Sequence, residues 1–193
     1  MEGTFSGNTI AISLLYFPAL ILIYGILITS LEAENYEIIK EITNMTDNKI
    51  DSSHYYRDSD WLITNLFNRI TDMSQYFRVF YPDEKYKFPM NEYLYKYTQP
   101  LIDDILFIGD EYSDKYTNTE ILISVIYAIK NYSDKDYVWG PTGRYLYILG
   151  YSNKEITSLP INEVIDKIGI YDEISNKDDF ITKYNSFLSK HFF

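Results

Sequence analysis

Cysteine is absent from the 193 residues, and histidine occurs only twice, at His54 and His191. The first absence excludes a disulfide framework, a thiolate metal site and a cysteine nucleophile. The second excludes a three-histidine metal centre. A two-histidine site would have to join residues far apart in the sequence. A Ser–His–Asp triad through His54 would have to come from "DSSHYYRDSD", where no nucleophile-elbow pattern is present.

Positive charge is also scarce. Lys and Arg total 17 against 28 Asp and Glu, a formal net charge of -11. Such a chain repels phosphate backbones, so nucleic acid is excluded as a partner by general electrostatics. Anionic lipid headgroups are repelled by the same field. Any membrane link must therefore come from apolar burial.

Alanine and arginine are few, at 4 each, with 8 Gly and 6 Pro. Ile, Tyr, Asn and Lys are many, at 27, 21, 13 and 13. An AT-rich coding sequence explains that contrast. The tyrosines are in part its product, and the competing reading is a tyrosine-rich contact surface.

One stretch lacks charge altogether: "TIAISLLYFPALILIYGILITSL", Thr9 to Leu31. As a helix, residues 10–31 span about 33 Å, close to the hydrocarbon thickness of a bilayer. The run is apolar all round, with no polar face. Pro18 and Gly25 are tolerated in lipid-embedded helices. Tyr16 and Tyr24 lie inside the span and read as helix-contact or lumen-facing residues. A cleaved signal is disfavoured: "MEGTFSGN" carries no basic residue, the run is longer than an ordinary h-region, and Leu31 stands at −3 of a cut after Ala33. The expectation is a single-pass transmembrane anchor embedded in the lipid bilayer through residues 10–31. Its soluble domain is expected on the exported or intermembrane side. The rival is a cleaved signal, with a cut after Ser30 still open, and the plainest alternative is a buried core helix of a soluble protein.

The predicted organisation is an anchor at 1–33, a juxtamembrane stalk and linker at 34–57 and a compact helical domain at 58–193. In the stalk, Ile38, Ile39 and Ile42 share one side and continue the helix. Leu62, Leu66, Ile70, Met73 and Phe77 repeat at helical spacing. A helix opening at Asn91 is kinked or restarted at Pro100 and ends near Gly109. "TNTEILISVIYAIKNYS" reads as a helix with a cap-like start and a buried stripe of Leu122, Val125, Ile126 and Ile129. A turn follows at Gly140-Pro141, and two short helices flank Leu159-Pro160. The terminal helix is capped by Ser175 or Asn176, with Asp178 and Asp179 in its first turn and Lys190 and His191 in its last, where the helix dipole favours them. Neither an alternating strand nor an Asn-Gly or Asp-Gly turn occurs. The fold class is all-α.

Two strings are candidates for chemistry. "IDDILFIGDEYSD" offers Asp103, Asp104, Asp110, Glu111 and Asp114 as oxygen ligands for Mg²⁺ or Ca²⁺. It is similar to the D-D-x-x-D element of isoprenoid synthases but departs in spacing, since Ile105, Leu106 and Phe107 follow and the next acid is Asp110. The plainer reading is a helix that buries Ile102, Leu106 and Phe107 and wets its acids. "WGPTGR" offers Gly140 and Gly143 as a phosphate cradle with Arg144 as counter-charge. It lacks the Lys-Ser/Thr of a P-loop. The plainer reading is a turn anchored by Trp139. The sequons Asn44-Met45-Thr46 and Asn131-Tyr132-Ser133 are frequent by chance in an Asn-rich chain.

No metal, cofactor or catalytic residue is assigned. The expected function is a non-enzymatic accessory or assembly subunit of a larger membrane protein complex, with the other subunits as partners. A surface- or envelope-displayed binding protein is the alternative. A membrane-tethered metal-dependent enzyme using Asp103 and Asp104 is the remote one.

Overall fold

The computed structural model describes residues 7–45, 89–132, 138, 144, 161–174 and 176–192. Every regular element among them is helical and no strand occurs, as the sequence pattern predicts. In chain order they are α1 (Gly7–Glu32), α2 (Tyr36–Asn44), α3 (Pro89–Leu106), α4 (Tyr112–Lys130), α5 (Ile161–Ile168) and α6 (Lys177–Phe192). Short 3-10 turns lie at Gly109–Glu111 and Ile170–Glu173. The expected helix over Leu62–Phe77, the Gly140-Pro141 turn and the first of the two helices near Pro160 lie outside the described residues.

The single-pass anchor is corrected. Among the described residues no helix is long and apolar enough to cross a membrane, and the lipid partner and integral-membrane placement expected from residues 10–31 fall with it. From Phe17 onward the structure shows what covers the apolar helix. α1 packs on α2, α3 and α4. Leu20, Tyr24, Leu27 and Ile28 are almost wholly buried. Ile102 of α3 reaches towards Gly25, so that its Cδ1 would lie 3.8 Å from a Cβ added there. Each fully buried Leu or Ile is worth roughly 2 kcal/mol of transfer. A helix apolar all round suits a core as well as lipid, and here protein supplies the cover. Leu22 and Ile26 remain on the outer face.

α1 does not run on into a stalk. Glu34 adopts φ 51°, and the N–H groups of Glu34 and Asn35 bond the carbonyls of Leu31 and Ser30 at 3.2 and 2.8 Å. That pairing closes the helix in a Schellman turn. α2 then packs on α1 and α5 and buries Ile39 and Ile42, while Ile38 stays exposed.

α4 is the most enclosed element, with Leu122, Val125, Ile126 and Ile129 buried as predicted, and Ile123 and Ala128 besides. Its start differs from the expected one: Tyr112, not the "TNTE" cap. Thr117 and Thr119 turn their hydroxyls back onto the carbonyls of Ser113 and Lys115 at 2.8 and 3.0 Å. They therefore serve as interior residues of a longer helix. α3 passes unbroken through Pro100. The N–H that proline lacks would have met the carbonyl of Lys96, on a side where both residues face solvent. The α6 cap is Asn176, whose Oδ1 accepts from the Asp179 N–H at 3.0 Å.

Candidate functional site

The corner where α3 hands over to α4 has a rigid inner side and an unusual outer side. Inside, tyrosines of three helices meet. Tyr24 stacks on Tyr116 with ring centroids 5.1 Å apart. Tyr95 lies 4.8 Å from Tyr112 and 5.1 Å, edge-on, from Tyr116. The Tyr112 hydroxyl donates to the Tyr95 carbonyl at 2.8 Å, and the Tyr116 hydroxyl to that of Asn91 at 3.4 Å. Burial pushes both phenols far up, with neighbouring Tyr95 and Tyr24 respectively adding to it. They stay protonated and serve as donors, not bases. Tyrosine is thus largely core material here: Tyr24, Tyr93, Tyr112 and Tyr116 are all buried. The reading of the tyrosines as a contact surface does not hold for these four.

A polar tie backs the cluster. Glu120 is buried, and its Oε1 accepts from the Arg144 backbone N–H at 3.0 Å and from Asn91 Nδ2 at 3.4 Å. Arg144 Nε reaches Glu92 Oε2 at 3.3 Å, and its guanidinium lies 3.8 Å over the Tyr95 ring. The counter-charge offered by "WGPTGR" is therefore spent inside the protein. Gly140 and Gly143 lie outside the described residues. Arg144 earns its place by stacking and pairing at once, a combination that a lysine would not reproduce.

The outer side begins on α3. Tyr97, Leu101, Asp104 and Ile105 recur at i, i+4, i+7 and i+8 and so share a face. Leu101 is 44 % exposed and Ile105 62 %. Phe107 follows at 85 % exposure with φ 55°. Its N–H bonds the Asp103 carbonyl at 3.1 Å, which is the one-bond αL closure that usually carries glycine. That conformation swings the Phe107 ring out of the helix register. The burial expected of Phe107 is corrected on this account. Ile102 is buried as expected and Leu106 is half-buried.

The five acids do not converge. Asp103 and Asp104 end α3, Asp110 and Glu111 form the 3-10 turn, and Asp114 opens α4. Asp104, Asp110, Glu111 and Asp114 are exposed. Among the described residues no group of three His, Asp or Glu is placed to hold a metal ion. His54 lies outside the described residues, and position 191 falls in the last turn of α6. Both sequon asparagines are engaged: Asn44 Oδ1 accepts from Lys130 Nζ at 3.1 Å, and Asn131 Nδ2 donates to the Tyr127 carbonyl at 2.8 Å.

No family model, curated protein or solved structure matches the chain. The geometry alone bears on function. Sequence reasoning missed Leu101, Ile105 and Phe107 as a surface. No residue type marks it: Gly109 stands three residues beyond the helix end, and the left-handed closing position is held by Phe107 itself.

Proposed function

We propose that the chain is a non-catalytic binding subunit of a larger protein assembly, and that the α3–α4 corner is the surface through which it binds. The observation that carries this reading is Phe107. A large aromatic residue stands nearly free in solvent, in a backbone state that costs a non-glycine residue about 1–2 kcal/mol. Folding gains little from that arrangement. An unfavourable local conformation that displays an aromatic side chain is what a contact residue requires.

The test is affinity purification of the full-length chain and of its Phe107→Gly variant from the native source, followed by mass spectrometry. The expected result is a defined set of proteins held by the wild type and lost by the variant, with Leu22→Gln on the α1 outer face retaining them. Identical partner sets for wild type and Phe107→Gly would reject this surface.

A further inference from the structure

We infer that the corner takes a cationic, apolar segment of a partner protein; the inference rests on the docking surface proposed above. Two properties of the surface select that class. Leu101 and Ile105 lie one turn apart on one face of α3 and Phe107 follows directly after the helix end, all three with exposed apolar side chains. Asp104 lies three residues before Phe107, and Asp110 lies three after it, with Glu111 and Asp114 next. Asp104, Asp110 and Asp114 pair with no cation of the described residues. The nearby Lys115 is engaged by Glu32 at 2.5 Å and lies 3.9 Å from Glu111. Among the described residues Asp104, Asp110 and Asp114 are therefore unneutralised and close in sequence to the exposed apolar side chains, an arrangement that attracts and orients a basic partner.

The same charges dismiss the other occupants. A second copy would set these acids against themselves in an isologous contact. Nucleic acid and anionic lipid would bring phosphate to carboxylate in a chain whose net charge is already -11. Association with a basic apolar segment buries the three side chains at the centre and leaves the ion pairs at the rim. The rim pairs then govern on-rate and salt dependence more than final affinity.

The test uses the purified full-length chain and two fluorescent helical peptides of one pattern, one built of Leu and Lys, the other of Leu and Glu. Anisotropy titration is run at two salt concentrations. The Leu/Lys peptide is expected to bind, more weakly at high salt, and the Leu/Glu peptide is not. Phe107→Gly is expected to weaken the Leu/Lys complex at least about tenfold, the loss of one central contact. A combined Asp104→Asn, Asp110→Asn, Asp114→Asn variant is expected to remove the salt dependence. Thermal melts of both variants keep a folding defect from passing as lost binding. Binding of the two peptides alike, no binding of the Leu/Lys peptide, or binding unmoved by Phe107→Gly would overturn the inference. So would dimerisation, or capture of anionic vesicles, that Phe107→Gly abolishes. If Phe107→Gly still sheds native partners while the peptides are not discriminated, the docking surface stands and its preference for cationic segments falls.

Discussion

Among the described residues three helix ends place a residue in left-handed backbone: Glu34, Phe107 and Gly169, at φ 51°, 55° and 74°. Only the last uses the residue that adopts it without a Cβ penalty. Phe107→Gly removes that penalty and forfeits almost no burial. A glycine also loses more chain entropy on folding, so the net expectation is a gain of up to about 1 kcal/mol. Thermal unfolding should place the variant at or slightly above the wild type. A clear fall would mean that the ring has a supporting contact within the fold. The tyrosines beneath give a second prediction. Tyr112 and Tyr116 have folded-state values raised above the ordinary phenol value near 10 by burial. Protons are then held more tightly in the folded chain, so their stabilisation is complete below pH 10. It is lost as pH rises beyond that. Phenolate absorbance and circular dichroism should change together in one alkaline transition. Tyr112→Phe should cost about 1 kcal/mol through its hydrogen bond and make the alkaline loss shallower. Phenolate absorbance that rises near pH 10 with the helices intact would contradict the burial.

At the scale of the element, α1 decides the architecture. Leu27 is fully buried, so Leu27→Ala should cost about 2–5 kcal/mol. Because α1 packs on α2, α3 and α4, the whole helical signal should melt earlier in urea, in one transition. A variant that loses only a fraction of the helix signal, leaving the rest at the wild-type midpoint, would show α1 to be peripheral. The same element marks what the sequence could disclose. Helix content was legible from period and caps: the Leu122–Ile129 stripe is buried and Asn176 caps α6, because both depend on residues near in the chain. The solvent of α1 was not legible, since uniform apolarity satisfies lipid and protein alike. Tyr24 held the clue: a phenol well inside the span asks for a helix contact, and it stacks on Tyr116. The start of α4 was misread for a related reason. "TNTE" has the residues of a cap, but Glu120 is drawn into the core by Asn91 and the Arg144 N–H. Those partners lie tens of residues away. The outward turn of Phe107 was hidden because one backbone angle, not residue type, sets it.

For the molecule as a whole the opposing terms are charge and packing. Each cross-element ion pair seen, such as Lys115 with Glu32 or Lys177 with Asp166, is at least partly exposed, and such pairs contribute about 1 kcal/mol or less. Against them stands an excess of eleven negative charges, whose mutual repulsion disfavours any compact state. Salt screens both, but the repulsion has far more members, and many of them lie beyond the reach of a single pair. Screening should therefore stabilise the protein on balance. Moving from about 0.01 to 0.15 M ionic strength shortens the screening length from roughly 30 to 8 Å. A gain of about 1 kcal/mol would raise the melting temperature by about 2–4 °C for a chain of this size. Calorimetric scans at fixed neutral pH read it directly. The partly buried tie of Arg144 to Glu92 supplies the internal control, because a pair in low dielectric is screened less. Arg144→Ala should cost about 2–3 kcal/mol, below the full penalty of breaking a buried pair, and by nearly the same amount at both salt concentrations. A melting temperature that falls with salt in the wild type would mean that the ion pairs, not the acidic excess, set the electrostatic balance of the fold.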